Sequence, residues 1–335
     1  MTVLFVRVDP DDAETLAEYM RITDEAQGFD DPYYTPLLVE EKREVLRNQV
    51  STEVVEAYLG RVDDGFVASG LIELPLLDNT DKAWLETSVP SPARGHGHGT
   101  AMLTYLEGLA RQHDRITLMA EVGYPFDADD DHPDRKFATN HGYRFSQANV
   151  QRVLQLPVDG DLLDGLRSHA SERHADYTFV EYVGLVPSDI VDEYCVLLNT
   201  IIVDAPSGAL TYDEGGTTPA SLAQLMDSLA AQGRTMYTSV AYDAQGTPVA
   251  HNQLVVSAHD PVNVFNWDTM VRREHRGHRL GLASKVRNLG VMQRDHPTRT
   301  ALHTWNAESN DHMIAVNEAM GFVPVRYHGE YYRTL

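Results

Sequence analysis

Apolar and polar residues follow the same order of strands and helices twice along the chain. Apolar residues at every second position predict strands, and apolar residues three and four positions apart predict helices. The predicted strands are 3–8, 54–61, 66–74, 84–89, 116–122 and 144–156, then 178–185, 235–243, 247–257, 262–270, 300–305 and 325–333. The predicted helices are 11–27, 37–49, 100–112 and 135–141, then 188–199, 221–233, one that ends at 293, and 311–320. This order predicts an α+β fold of two similar domains, each a mostly antiparallel central sheet flanked by helices.

A glycine-rich turn between a strand and a helix occurs in both halves. Residues 89–101 read VPSPARGHGHGTA, residues 271–283 read VRREHRGHRLGLA, and the two segments align without a gap. Matching positions include Val89 and Val271, Arg94 and Arg276, Gly95 and Gly277, Gly99 and Gly281, and Ala101 and Ala283. A repeat at this separation indicates a duplicated domain rather than a solenoid.

Both turns have the features of a phosphate-binding loop. Glycine lets the backbone approach a ligand closely, and the first N–H groups of a helix have no intrahelical partner, so they bind anions. The turn lacks the Gly-Lys-Ser/Thr of nucleoside-triphosphate loops, and Arg94 stands where a dinucleotide-binding turn has its first glycine. From this segment alone, a tight turn without a ligand is an equal alternative.

These turns resemble the acetyl-coenzyme A motif of the GCN5-related N-acetyltransferases. Each is followed by a helix similar to the family's Asn-led helix that ends in Gly-Phe, from Asn310 to Gly321-Phe322 and from Asp131 to Gly142-Tyr143. The resemblance implies two tandem domains, 1–157 and 177–335, joined by a polar helical linker at 158–176. This layout is similar to that of mycothiol synthase.

The resemblance also implies how acetyl-coenzyme A binds as a co-substrate. Loop amides hold the pyrophosphate, the preceding strand end holds pantetheine, and an amide there faces the thioester oxygen. In the second copy the implied residues are Thr269, Met270, Val271, Arg276, Gly277, His278, Arg279, Leu280, Gly281, Leu282, Asn306 and Asn310. In the first copy they are Thr87, Ser88, Val89, Arg94, Gly95, His96, Gly97, His98, Gly99 and Thr100.

The two copies depart from the family pattern in opposite ways. The first keeps its loop glycines but has Asp131 in place of the helix-leading Asn, near Asp127, Asp129 and Asp130, and carboxylates there oppose an anionic ligand. The second keeps Asn310 but has Arg279 at the central glycine, which either crowds the loop or adds a contact to phosphate. We expect the chemistry in the second copy, and the first is either a binding domain or a degenerate one.

Neither copy has the tyrosine that usually acts as the acid in this family. Asn317 and Ala138 occupy that position, four residues before the glycine that ends the helix. Tyr331, or Tyr327 or Tyr332 on the same strand, is a candidate substitute, with a packing role as the alternative. Glu86 and Asp268 occupy equivalent positions before the two loops and are candidate bases for deprotonating an amine, directly or through water, with a structural carboxylate as an equal alternative.

Composition limits the partners and the location. The net charge of −23 over 335 residues opposes nucleic-acid binding, and it either attracts cationic small molecules or serves solubility or salt adaptation. We find no apolar run that would span a membrane and no export signal, and the one cysteine, Cys195, reads as a core residue, so we expect a cytoplasmic monomer or homodimer.

Two functions remain open at this point. The first is acetyl-coenzyme A-dependent N-acetylation of a small-molecule amine. For this function we expect a cationic acceptor that enters the second domain beside residues 204–218. The second is a coenzyme A-binding or sensing protein whose sites no longer turn over. The histidine pairs of the two loops do not complete a metal-binding set with cysteine or carboxylate, so no metal is expected.

Overall fold

The computed structural model describes residues 2–48, 50–200, 208–213 and 215–335. Contacts between residues divide the chain into two compact units. Unit 1 contains Met1–Ala148 and Tyr327–Leu335, and unit 2 contains Asn149–Arg326. Each unit has a mixed sheet flanked by helices, which confirms the predicted α+β class.

Unit 1 is built from strands β1 to β5 and helices α1 to α4. The strands are β1 (Leu4–Arg7), β2 (Glu53–Val62), β3 (Gly65–Pro75), β4 (Lys82–Ser88) and β5 (Thr117–Tyr124). The helices are α1 (Ala13–Gln27), α2 (Val39–Arg47), α3 (His98–Gln112) and α4 (Pro133–Asn140). The strand β6 (Arg144–Gln155) then leaves this unit and enters unit 2.

Unit 2 repeats the order with strands β7 to β11 and helices α5 to α9. The strands are β7 (Thr178–Val183), β8 (Arg234–Tyr242), β9 (Pro248–Ser257), β10 (Asn263–Val271) and β11 (Ala301–Ala307). The helices are α5 (Gly160–Ser171), α6 (Val191–Asn199), α7 (Pro219–Ala231), α8 (Leu280–Asp295) and α9 (Asp311–Met320). The chain ends in strand β12 (Val323–Thr334).

The two units exchange their last strands. In unit 2, residues 149–155 of β6 pair antiparallel with all of β11, and in unit 1, residues 327–334 of β12 pair antiparallel with β5. The sheet of unit 1 therefore runs β1-β2-β3-β4-β5-β12, and that of unit 2 runs β6-β11-β10-β9-β8-β7. The predicted domain ranges 1–157 and 177–335 stay predictions, and the two units differ from them in where residues 149–157 and 327–335 are placed.

Most of the predicted linker at 158–176 forms the helix α5, which lies within unit 2. Asp159 caps α5 by accepting hydrogen bonds from the amides of Asp161 and Leu162, which satisfies donors that the first turn leaves open. Its apolar residues Leu163 and Leu166 are buried in the same core as α8 and α9. Burying this stripe stabilises the helix where it lies.

Each sheet has a core on both faces. In unit 1 one face packs on α3, and the other packs on α1 and α2. In unit 2 one face packs on α5, α8 and α9, and the other packs on α6 and α7. Cys195 is buried in the core on the α6 side, as predicted. Within the described ranges, no helix has the length and apolar character needed to cross a membrane.

Candidate functional site

The sheet of unit 2 opens between β10 and β11. Parallel pairing joins only Asn263–Phe265 to Ala301–His303, while β10 continues to Val271 and β11 to Ala307. The residues Thr269, Met270 and Val271 pair with β9 on one side, so their other edge faces the opening. Unit 1 repeats this arrangement, since β4 pairs with β5 only through Lys82–Trp84. A sheet that separates in this way offers unpaired backbone donors and acceptors to an extended ligand.

The opening in unit 2 leads to the glycine-rich turn and the start of α8. Gly277 has a φ of 84°, and among the described residues no atom lies within 4 Å of the position where a Cβ would be, so its backbone faces open space there. The first hydrogen bond of the helix runs from the amide of Ala283 to the carbonyl of Arg279. The amides of Leu280, Gly281 and Leu282 precede that bond, so they have no partner within the helix.

The turn of unit 1 has the same backbone. Gly95 and Gly97 have φ angles of 79° and 83°, and a Cβ at either would also meet open space. The amides of His98, Gly99 and Thr100 precede the first bond of α3, which runs from Ala101 to Gly97. In both turns, glycines in the left-handed conformation precede helix amides without an intrahelical partner, and anion binding there stays a prediction.

The first arginine of each turn supports the loop from within. The Nε of Arg94 donates to the carbonyl of Val89 at 3.0 Å, and the Nε of Arg276 approaches the carbonyl of Val271 at 3.4 Å. Arg94 also forms an ion pair with Asp134, at 3.3 Å. These contacts tie the turn to the end of the preceding strand, so part of each predicted cofactor-binding guanidinium has a structural partner.

Arg279 occupies the left-handed conformation that glycine has in the other copy, with a φ of 55°. Its guanidinium donates to the carbonyl of His169, at 2.5 Å, and to the carboxylate of Glu172, at 2.8 Å. The side chain therefore turns toward the C-terminal end of α5. The alternatives from the sequence, crowding of the loop or a contact to phosphate, stay predictions, and its guanidinium meanwhile has partners within the protein.

The loop histidines bind neighbouring groups of the protein. The Nδ1 of His96 lies 2.8 Å from the carbonyl of Arg94, and that of His278 lies 3.0 Å from the carbonyl of Arg173. The Nδ1 of His275 lies 3.0 Å from the hydroxyl of Tyr177. These contacts hold the turns in place.

A β-bulge places Asp268 beside the opening. The pairing of β10 with β9 shifts between Asn266 and Thr269, so Trp267 and Asp268 leave the regular ladder. The buried amide of Asn252 fixes the bulge by donating to Asn266 Oδ1 at 2.7 Å and to the carbonyl of Asp268 at 3.1 Å. Burial raises the pKa of Asp268. Within the described part of the chain, no hydrogen bond reaches its carboxylate.

A buried polar cluster lies on the α6 side of the same strands. The hydroxyl of Tyr194 accepts from Gln253 at 3.0 Å and lies 2.8 Å from the Nδ1 of His251. Burial, and to a smaller extent the charge of Asp268, raises the pKa of Tyr194. Burial lowers the pKa of His251 to about 3, so its imidazole is neutral. The sequence reasoning missed this cluster, because no motif joins residues on α6 and β9.

A second missed group lies between α8 and α9. Lys285 is 2% exposed and donates to the Oδ1 of Asn317 at 2.8 Å. The Nδ2 of Asn317 donates to the Oδ1 of Asn306 at 2.5 Å. Asn317 was identified as the position of the family's acid, but nothing in the sequence connects it to a lysine. Asn310, a predicted cofactor-binding residue, caps α9 by accepting from the amide of Met313 at 3.2 Å.

The candidate catalytic residues Tyr331 and Glu86 both lie in unit 1. Tyr331 is 2% exposed in the core beside α3, and its hydroxyl accepts from Arg135 Nε at 3.2 Å. Glu86 is exposed on β4, next to Ser88 and Thr87 of the predicted cofactor-binding strand end. Neither belongs to the unit that contains Asp268.

Basic residues accompany the acidic segment of unit 1. Arg135 pairs with Asp130 at 2.7 Å, and Lys136 pairs with Asp131 at 2.9 Å. These ion pairs offset part of the negative charge that we expected to oppose an anionic ligand. The predicted acceptor loop of unit 2 is incompletely described, because Asp204 and Glu214 lie outside the described residues.

Comparison with known proteins finds similarity in structure. No family model and no curated protein sequence matches the chain. A tandem GNAT protein from the clavulanic acid biosynthesis pathway, solved without acetyl-coenzyme A, is 24% identical, with a TM-score of 0.81 over 99% of this chain and 98% of that chain.

Two further solved structures share the fold. A GCN5-related N-acetyltransferase from Sphaerobacter thermophilus is 17% identical, with a TM-score of 0.65 over 99% of this chain and 95% of that one. A GCN5-related glucosamine N-acetyltransferase region of a fungal multi-domain β-N-acetylglucosaminidase is 14% identical, with a TM-score of 0.67 over 99% of this chain and 38% of that one. The chain therefore has the fold of tandem GCN5-related N-acetyltransferases, as its two loops predicted.

Proposed function

We propose that the protein is an acetyl-coenzyme A-dependent N-acetyltransferase that acts on a small-molecule amine, with its chemistry in unit 2. The observation that carries the proposal is the opening between β10 and β11, which joins the amides at the start of α8 to the bulge that holds Asp268. The family likeness of the fold agrees with this assignment.

The residues of unit 2 fit the parts of this co-substrate. The amides of Leu280, Gly281 and Leu282 suit a pyrophosphate, and the free edge of Thr269–Val271 suits the amides of an extended pantetheine arm. Acetyl-coenzyme A supplies a thioester that an amine attacks once it has lost its proton. Asp268, which has a raised pKa and a carboxylate without a hydrogen bond in the described residues, would accept that proton.

The acceptor in this proposal is a cationic small molecule. The chain carries a net charge of −23, and Asp268 adds a carboxylate at the opening itself. Such a field raises the local concentration of an ammonium, and salt screens it. We expect the KM for the amine to rise with ionic strength, and acidic amines to be poor acceptors. Equal use of acidic and basic amines at all salt concentrations would contradict this part of the proposal.

Calorimetry with acetyl-coenzyme A, followed by thiol release in the presence of an amine panel, tests the function. Gly281→Trp should abolish binding, because the indole would fill the space beside the helix start. Gly281→Ala is the control for folding, since a Cβ there would lie 3.6 Å from Thr269 and Val271, an ordinary contact distance. Unchanged affinity of a folded Gly281→Trp variant would refute the site.

The second candidate is a coenzyme A-binding or sensing protein without turnover. The absence of a tyrosine at Asn317 and Ala138 favours it. Binding of acetyl-coenzyme A without thiol release for any amine in the panel would favour this candidate over the enzyme.

A further inference from the structure

Lys285 is a buried cation with an uncharged partner. Its ammonium contacts the Oδ1 of Asn317 and lies 5.3 Å from the centre of the Phe322 ring. Within the described residues, no carboxylate pairs with it, and burial lowers its pKa to about 7. Removing an ammonium from water costs free energy that one amide does not recover, so an apolar residue would fill this place at lower cost. A function in the site explains why a lysine is there.

The lysine determines the direction of a chain of side-chain amides. As an ammonium, Lys285 has donors only, and Asn317 turns its oxygen toward Lys285 and its NH2 group toward Asn306. The oxygen of Asn306 is thereby engaged as an acceptor. Because this oxygen points to Asn317, the other side of the Asn306 amide presents its NH2 group, a donor.

This chain ends at the opening of unit 2. Asn306 is half-buried in the part of β11 beyond its pairing with β10. Asn306 lies three residues beyond His303, and Asp268 lies three residues beyond Phe265, the last residues of the two strands that pair with each other. Its side chain contacts α9. Helices α9 and α8 pack on the same face of the sheet, and the amides that would bind the pyrophosphate are those at the start of α8.

We propose that Lys285 and Asn317 are positioning residues that fix Asn306 as an N–H donor toward the thioester in this opening. The inference rests on the proposed function. A thioester offers only acceptors, at its carbonyl oxygen and sulfur, and the thiolate product is an acceptor as well. A fixed donor stabilises the charge that develops on these atoms, whereas a reversed amide would present an oxygen and repel them.

The substitution Asn317→Asp reverses this polarity with almost no change of shape. A carboxylate has acceptors only, so it keeps Lys285 but forces Asn306 to turn its NH2 group inward and its oxygen into the opening. We expect the affinity for acetyl-coenzyme A to fall about tenfold, and kcat to fall as well, in a protein at least as stable as wild type, since the lysine gains an ion pair.

Two probes and one control localise the effect. Adenosine 3′,5′-bisphosphate, which lacks pantetheine and thioester, should bind Asn317→Asp as it binds wild type. Asn263→Asp adds a carboxylate at the other end of β10, where His303 Nε2 lies 2.9 Å away, and should keep the wild-type affinity for both probes. Lys285→Met frees the amide of Asn317 to rotate, and should weaken acetyl-coenzyme A binding if Asn317→Asp fails to fold.

The outcomes separate this inference from the proposed function. The donor role of Asn306 is supported if Asn317→Asp binds acetyl-coenzyme A more weakly than wild type but binds the bisphosphate equally well, and if Asn263→Asp binds both as wild type does. Equal affinity of Asn317→Asp and wild type for acetyl-coenzyme A overturns it and leaves the proposed function standing. Equal weakening by Asn263→Asp, or for the bisphosphate, also overturns it, because the cause would then be general charge repulsion. A wild-type protein that binds no acetyl-coenzyme A refutes the proposed function itself.

Discussion

Asp268 is half-buried in a bulge of β10, and its carboxylate acts either as a base or as a structural group. The substitution Asp268→Asn distinguishes the two roles. We predict that Asp268→Asn lowers kcat about a hundredfold at neutral pH, the usual size of a general-base contribution. The loss should shrink as pH rises, because the amine then arrives without its proton. Full activity of the variant at neutral pH would remove Asp268 from the mechanism.

The same variant has a stability signature. Burial raises the pKa of Asp268 in the folded protein. The free energy of unfolding is therefore highest while this group is protonated, and it falls as pH rises above the ordinary pKa of an aspartate. Asp268→Asn should therefore raise the melting temperature at neutral pH and have little effect in acid. A structural carboxylate would give the opposite result, with a lower melting temperature at neutral pH.

Lys285 predicts a different dependence on pH. Its folded pKa is about 7 and its unfolded pKa is ordinary for lysine, so the unfolded chain binds more protons between these values. Wild type should gain stability as pH rises through this range, by several kcal/mol, since each unit of pKa corresponds to about 1.4 kcal/mol. Lys285→Met should be more stable than wild type at pH 6, with a smaller advantage at pH 9.

Urea unfolding of the two proteins at both pH values measures this difference. The control is Lys82→Met, since Lys82 is also buried but pairs with Asp81 at 2.8 Å. That variant should lose stability, because the ion pair is lost and a carboxylate remains. A Lys285→Met variant less stable than wild type at pH 6 would contradict the account.

At the scale of elements, the two helix starts share a backbone but differ in the residue that precedes the helix. Gly97 and Arg279 both precede their helices in the left-handed conformation. A non-glycine residue there costs about 1 kcal/mol, and an exposed ion pair returns a similar or smaller amount. Gly97→Ala should lower the midpoint of urea unfolding, whereas Arg279→Gly should change it little, because relief of strain offsets loss of the contact with Glu172. A large loss in Arg279→Gly would show that its contacts to α5 dominate.

Most elements were predictable from the sequence because their patterns are local. The two-residue alternation of β2 and β3 and the spacing of α1 give ranges within a few residues of those observed. The loop backbones were predictable for the same reason, since glycines in the left-handed conformation lie next to a helix start. The side-chain direction of Arg279 was not predictable, because its partner Glu172 follows α5, far away in the sequence.

Contacts between distant residues could not be predicted from these patterns. Lys285 would be assigned to a solvated face, since the pattern of α8 does not reveal that α9 covers it. The helix at 158–176 read as a linker because its polar residues outnumber the apolar stripe that enters the core. The exchange of β6 and β12 was hidden for a related reason: a strand's alternation identifies its buried face but not the sheet it joins.

For the whole molecule, this exchange makes the end of the chain a part of unit 1. Residues 327–334 pair with β5 along eight positions, and Tyr331 fills the core beside α3. Arg333 pairs there with Glu107, at 2.7 Å. We predict that truncation after Arg326 unfolds or loosens unit 1 and leaves unit 2 folded, although the deleted residues follow unit 2 in the sequence.

Hydrogen exchange followed by mass spectrometry measures this directly. In the truncated protein, peptides from β4, β5 and α3 should lose protection, because their sheet has lost a strand and their core has lost a buried tyrosine. Peptides from β9, β10 and α8 should keep it, since residues 149–155 of β6 still complete their sheet. Tyr331→Ala is the matched single variant, and should reduce protection in the same peptides to a smaller degree. Loss of protection in β10 and α8 with unit 1 unaffected would mean that the last strand completes unit 2, as the domain range 177–335 predicted from the sequence implies.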